Sequence, residues 1–353
     1  MVDWSIARSL ARLAAGRGEH GAASGSRLDL VGFCAEMEPH VSDYTGLVLA
    51  TPAPPAEVVS RPDWAETAVG SVSAMLEPVV GRLDERLAFA GPLAGALRAG
   101  ASATVAAEAG LVMGYIATRV LGQYDVSLLG GDAPPRLLFI GPNLDKAVSE
   151  LEVDPDAFGR WVCAHELTHV HQFQGVPWLR EHMSGLLREY LDSVEVKIER
   201  GAAGGLPSLP DPSKLIETFR EGGLAALVQS SAQRALMERV QAAMAVIEGY
   251  SEHVMDAIAE RAIPGHEDLR AAMTRRRSSR SAPERVLERL LGFDVKLRQY
   301  ELGKGFSDAV VEAEGIDGLN RVWESPEALP TIAELEDPAA WLVRTGPSGR
   351  AAA

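Results

Sequence analysis

Two cysteines, Cys34 and Cys163, are all that this chain of 353 residues contains. That is too few for a disulfide framework, and neither has the paired spacing of a cysteine metal site, so a reducing compartment, the cytoplasm, is expected. The first ten residues lack the positive region and the long apolar run of a secretory leader, with Asp3 where a base would stand, and export is not expected. A clean membrane span is missing as well. The most apolar stretch, residues 101–122, is interrupted by Glu108 and Arg119, both costly at a bilayer centre, and reads as a close-packed soluble helix. Basic charge is scarce: 34 Lys and Arg stand against 49 Asp and Glu, for a net charge of -15. Such a field repels phosphates, which argues against general binding to nucleic acid or to an anionic membrane. The sequence has no internal repeat and no Gly-rich phosphate loop.

What remains is a chain with 46% hydrophobic residues, enough to bury a substantial core in one large domain or two lobes. Turn chemistry breaks it at residues 16–26, 51–62, 130–135, 201–212 and 346–353. Between the breaks the apolar spacing is helical, as in 65–97, 101–121, 179–198 and 236–262. Strand signal is sparse. Its clearest instance is 136–140, an apolar run bounded by Pro134-Pro135 and Gly141-Pro142. The expected fold is therefore mainly α, an α+β chain with few strands. The boundaries suggest a helical N-terminal lobe over 1–130, a second lobe over 131–345 and a flexible tail over 346–353. The basic run Arg275, Arg276 and Arg277 reads as a solvated loop between helices.

The chemistry concentrates in His165-Glu166-Leu167-Thr168-His169. Asp154-Pro155-Asp156 has the form of an N-cap, a first-turn proline and an acidic first turn, and Gly175 with Pro177 supplies a stop, which puts the whole motif on one helix. Histidines four residues apart project from the same helical face and can hold one cation. Glu166, a quarter turn away, can reach a metal-bound water without ligating the metal, and is the general-base candidate. Phe158, Trp161, Val162 and Phe173 give this helix an apolar stripe and set the histidines beside packed core.

A catalytic zinc needs a third protein ligand and one open position. A histidine at position 175 would mark the metzincin pattern, but that residue is Gly175. His171 and His182 are local alternatives, more simply read as polar surface or capping residues. The segment from Glu248 to Asp256 offers better groups. Val240, Met244, Ile247, Ser251, Val254 and Ile258 recur at helical spacing, and Glu248 lies at the edge of that stripe, where a carboxylate needs a partner. Glu252 is its rival as ligand. Glu252 and Asp256 are also placed to orient His165 or His169 from behind, and spacing alone leaves the choice open. Tyr250, His253, Arg298 and Tyr300 are nominated as donors to a developing oxyanion, with no spacing rule that places them.

These residues resemble gluzincin metallopeptidases, in which His-Glu-x-x-His on one helix is joined by a Glu from a later helix, often in a Glu-Gly-aromatic-small context like Glu248-Gly249-Tyr250-Ser251. The resemblance favours Glu248 over Glu252 as third ligand. The chain is similar in particular to an actinobacterial zincin-like family of zinc-dependent metalloproteases, some members of which carry a label linking them to deazaflavin-coenzyme biosynthesis. Residues 164–183 with Pro177-Trp178-Leu179-Arg180, residues 248–256, and residues 290–303 with Lys296-Leu297-Arg298-Gln299-Tyr300 carry the similarity. Val2-Asp3-Trp4 and residues 330–344 extend it over most of the chain. It implies a multihelical zincin-like fold, a Zn2+ cofactor and a hydrolase, a metallopeptidase acting on a peptide or small amide. Zinc would lower the pKa of its bound water, Glu166 would take the proton, and the nucleophile would attack a carbonyl. The competing expectation is a non-catalytic zincin-like scaffold or binding protein that retains the metal site.

Overall fold

The structure is a computed structural model that describes residues 2–16, 25–87, 94–129, 134–193, 230–278 and 293–346. The break expected at 201–212 and all but the first residue of the tail expected from 346 lie outside these residues. The elements run α1 (Trp4–Ala15), α2 (Leu30–Thr45), β1 (Ala56–Val59), α3 (Arg61–Leu87), α4 (Ala94–Ala117), β2 (Gly122–Asp125) and β3 (Arg136–Ile140). They continue with α5 (Gly141–Leu151), α6 (Pro155–Gly175), α7 (Leu179–Ser193), α8 (Ser231–Ala262), α9 (His266–Ser278) and α10 (Phe293–Asn320). Two short 3-10 turns (Arg321–Trp323 and Pro326–Ala328) are followed by the helices α11 (Ile332–Glu336) and α12 (Pro338–Thr345), which close the described chain. Among the described residues the fold is multihelical with one small sheet. No helix among the described residues is long and apolar enough to cross a membrane.

The sheet has the order β1-β3-β2, with β1 parallel and β2 antiparallel to the central β3. In β3 alternate side chains point to opposite faces, and both faces are covered. Leu137 and Phe139 enter the large core built on α2, α6 and α8, while Leu138 and Ile140 enter a smaller core with α1, α3 and α4. The sheet is thus the partition between two cores. On the α1 side the packing residues are small: Ala7, Ala11 and Ala15, four apart, are fully buried. β1 comes from the proline-rich stretch read as a break, and β2 from a polar segment, so both strands are additions to the one foreseen.

Two helices carry the site. α6 starts as its sequence dictates: the Asp154 side chain accepts from the Ala157 N–H at 2.8 Å, and Pro155 occupies the first turn. α8 starts with a capping box between Ser230 and Gln233. α8 then packs along α10 at very close range, because a side chain at Gly249 would overlap the backbone of Gly303, and one at Gly303 would overlap Ala245. The glycine of Glu248-Gly249-Tyr250-Ser251 is therefore a packing residue that lets α10 brace the turn carrying Glu248. The basic run is a correction: Arg275 to Arg277 end α9 instead of forming a loop. Glu267 and Asp268 in the first turn complement the helix dipole, which favours the helix.

Candidate metal centre

His165 and His169 leave α6 from one face with their rings edge to face, centroids 4.8 Å apart and Nε2 atoms 3.2 Å apart. From α8, Glu248 Oε2 comes within 3.8 Å of His165 Nε2 and 3.6 Å of His169 Nε2. These ligand atoms all lie within 4.8 Å of one another. A small tetrahedral cation bound at about 2 Å spaces its ligand atoms roughly 3.3 Å apart, so the three donors fit the edges of one coordination shell. The gap between Nε2 atoms is the tightest edge and the carboxylate the loosest.

The hydrogen bonds behind His169 fix what it presents. Gln172 Nε2 donates to the Ile247 carbonyl at 2.8 Å, because a carbonyl can only accept. Gln172 Oε1 is thereby turned to His169 Nδ1, 2.9 Å away, so Nδ1 carries the proton. The Nε2 of the neutral ring is left as a lone pair facing His165 and Glu248, as a metal-ligating imidazole requires. Ser251 completes this backing, with its hydroxyl 3.2 Å from His169 Nδ1 and donating to Ile247 at 3.0 Å. Gln172 and Ser251 occupy the supporting place that the sequence offered to Glu252 and Asp256. The i to i+3 spacing from His169 to Gln172 is the signal that could have revealed it.

Glu166 is buried one residue along the helix from His165. Its Oε2 accepts from the Tyr124 N–H of the edge strand β2 at 3.1 Å. Gly122 makes this approach available: a Cβ there would stand 2.7 Å from Glu166 Cγ and 2.8 Å from Oε1. Burial pushes the Glu166 carboxyl up, the His169 charge pulls it down, Glu248 raises it again, and the outcome is about 7. For His169 burial opposes the charged form, but Glu248 and Glu166 outweigh it and hold the ring at about 9. A pocket that retains a proton so firmly between these groups is built for positive charge.

The other nominated residues go elsewhere, for a geometric reason. Helical positions advance about 100° per residue, so Tyr250 and His253 point roughly 160° and 140° away from Glu248. Tyr250 is fully buried, lies edge to face on Trp323, and donates to Asn320 at 2.7 Å. His253 donates from Nδ1 to Asp308 at 2.7 Å, and its Nε2 meets the Tyr44 hydroxyl at 2.8 Å. The structure therefore brings neither into the ligand cluster. Asp256 pairs with Arg270 and Lys304 at 3.1 and 3.2 Å. Glu252 stays on the ligand face of α8 but one turn on, lining a cavity with Asp256. The side chains of Arg298 and Tyr300 lie outside the described residues. His171 is a correction: it is wholly buried, with Nδ1 on the Leu47 carbonyl at 2.8 Å, and is neither a surface residue nor near the cluster of ligands. His182 packs edge to face on Trp178.

Comparison with known proteins agrees with this geometry. Over 98% of its length the chain is similar to a crystal structure described as a "putative hydrolase with a novel fold" from Chloroflexus aurantiacus, with 29% identity, a TM-score of 0.71 and 99% of that chain covered. No match was found among curated proteins. The sequence model of the zincin-like metallopeptidases matches residues 2–342. With two histidines and a glutamate converging from α6 and α8 and a family match over nearly its whole length, the chain belongs to the zincin-like metallopeptidase family.

Proposed function

We propose that this protein is a zinc-dependent metallopeptidase of the cytoplasm that hydrolyses a peptide or small amide. The observation that carries the reading is the convergence of His165, His169 and Glu248, with His169 Nδ1 held by Gln172 so that Nε2 faces the other two ligands. Two imidazoles and one carboxylate suit Zn2+, and three protein ligands leave a fourth position for water, unlike a closed structural site. Bound zinc would supply Lewis acidity, lowering the pKa of a water at the open position toward about 7.

The chain's own residues supply the rest. Two neutral histidines and Glu248 leave a bound divalent ion with a formal charge near +1, which favours polarising a carbonyl. Glu166, buried and one residue along the helix from His165, is placed to take a proton and later return it to the leaving amine. The Tyr124 N–H holds one of its oxygens, which limits the carboxylate to a narrow arc. Tyr250 and His253 carry no catalytic part in this reading, because both are turned away and already bonded. Coenzyme biosynthesis plays no part in it either. The compartment is proposed from two buried free cysteines.

Glu166→Gln tests the proposal. The variant should bind zinc like the parent and fail to cleave a quenched-fluorescent peptide pool that the parent cleaves. Equal cleavage by both would remove Glu166 as base, and zinc binding without cleavage by the parent would favour the non-catalytic scaffold.

A further inference from the structure

Within the described sheet β2 is an edge strand, paired with β3 on one side only, so the ladder alone leaves its outer edge unrestrained. That edge is where Glu166 docks. Alternate side chains of a strand leave opposite faces, and Gly122 and Tyr124 share the face toward α6. There the Glu166 side chain passes against Gly122, and its Oε2 accepts from the Tyr124 N–H at 3.1 Å. The other ties on this face also come from α6: the Tyr124 hydroxyl accepts from Gln174 Nε2 at 3.0 Å, and the ring lies against Phe173. They belong to the helix that carries Glu166, so they give the carboxylate no independent reference.

Gln123 leaves the opposite face, in register with Leu138, whose side chain enters the smaller core. On that side the Trp64 indole N–H donates to Gln123 Oε1 at 2.8 Å. Trp64 is buried in the same core as Ala65, Ala68 and Val69, and an indole N–H taken from water needs an acceptor. The tryptophan itself stands on fixed ground. Ser60 alone separates β1 from α3; its Oγ accepts from the Asp63 N–H at 3.2 Å, and its carbonyl from the Trp64 N–H at 3.0 Å. Arg12 of α1 ties the same turn down, 3.3 Å from Asp63 and 2.6 Å from Glu66. Trp64 is thus referenced to β1 and α1, outside the two helices that carry the ligands.

We propose that Trp64 is a positioning residue for the hydrolytic step: through its bond to Gln123 it holds β2 where Gly122 and the Tyr124 N–H receive Glu166. The proposal rests on the reading of Glu166 as base. It gives the smaller core a part in the chemistry although Trp64 lies across the sheet from the candidate ligands. Without this bond β2 is tied to β3 and to α6, and strand and carboxylate drift together. Drift of about 1 Å at a reacting group costs up to a hundredfold in rate, and a smaller drift costs proportionately less.

The test is a double-mutant cycle of Trp64→Phe and Gln123→Met in the full-length, zinc-loaded chain, read by peptide cleavage, metal analysis and amide hydrogen exchange. Each single variant should lose about tenfold in kcat, with KM and bound zinc within about twofold of the parent. The double variant should be no slower than the slower single one, because both changes remove the same bond. The Tyr124 amide should exchange about tenfold faster in each variant, while the amides of β3 stay within about twofold. Unchanged kcat, losses that multiply in the double variant, or exchange that quickens equally throughout the chain would each overturn the proposal, the last two by showing that Trp64 only packs. If Trp64→Phe does not fold, Gln123→Met decides. Cleavage by the parent separates the two readings. Local quickening at Tyr124 in a chain whose parent cleaves nothing sinks the hydrolase and keeps the Trp64 anchor, whereas parental cleavage that both variants retain in full does the reverse.

Discussion

Gly122→Ala places one methyl group against the carboxylate proposed to move the proton. The added Cβ would stand 2.7 Å from Glu166 Cγ, 2.8 Å from Oε1 and 2.9 Å from Cδ, where ordinary contact begins at 3.4 Å. A displacement of about 0.7 Å is therefore required. β2 cannot easily supply it, because Gly122 is in register with the fully buried Phe139 of β3, so Glu166 gives way and its bond to the Tyr124 N–H lengthens. A misplacement of about 1 Å at a reacting group costs up to a hundredfold in rate, so kcat should fall by roughly tenfold to a hundredfold. His165, His169 and Glu248 are not touched by the methyl group, so zinc content and KM should stay near their original values. The assay is steady-state cleavage of a peptide selected from the fluorescent pool, with metal analysis and circular dichroism on the same sample. Unchanged kcat in a folded, zinc-loaded variant would refute the idea that β2 positions Glu166, and a loss of zinc would show that the strand supports the ligands instead.

Further consequences follow from the groups around His169. Gln172→Leu removes the acceptor that fixes the Nδ1 proton, and zinc affinity measured by chelator competition should fall about tenfold to a hundredfold; unchanged affinity would mean that Gln172 only packs. In metal-free protein Glu166 rises from 4.5 to about 7, so the unfolded chain releases this proton first and stability falls as pH rises between those values, by about 3 kcal/mol. His169 acts with the same sign: raised to about 9, it contributes stability that is present below 6.5 and lost as pH rises through 9. Thermal unfolding with chelator should thus weaken from pH 5 to 9, and added zinc, which takes the place of the His169 proton, should stabilise most at the alkaline end; metal-free stability that rises over this range would contradict both shifts.

Several parts of the fold and site were legible from residue chemistry, each for a local reason. α6 announces itself by Asp154-Pro155, and β3 by prolines and glycine around five apolar residues. β1 and β2 carry no such mark. β1 is four residues beside prolines and gains its partner only through a non-local parallel pairing, and Gly-Gln-Tyr-Asp has no apolar alternation. At the site, spacing of four along α6 put His165 beside His169, and the edge of an apolar stripe nominated Glu248, which only the resemblance of Glu248-Gly249-Tyr250-Ser251 favoured over Glu252. The nominations of Tyr250 and His253 rested on nearness along the chain, which ignores the angle at which helical side chains leave the axis. Gln172 was overlooked because a glutamine in a helix carries no ionic signature, although it sits one turn from His169. Asp256 was drawn off by partners from other elements: Arg270 and Lys304, which hold it, come from α9 and α10.

Metal analysis of three proteins bears most directly on the central claim that His165, His169 and Glu248 hold one cation. The account predicts about one zinc per purified parent chain, a large loss of zinc affinity in Glu248→Ala and near-parental affinity in Glu252→Ala. Retention of zinc by Glu248→Ala together with its loss from Glu252→Ala would contradict the ligand set, and a parent chain that binds no zinc would contradict the metal centre itself.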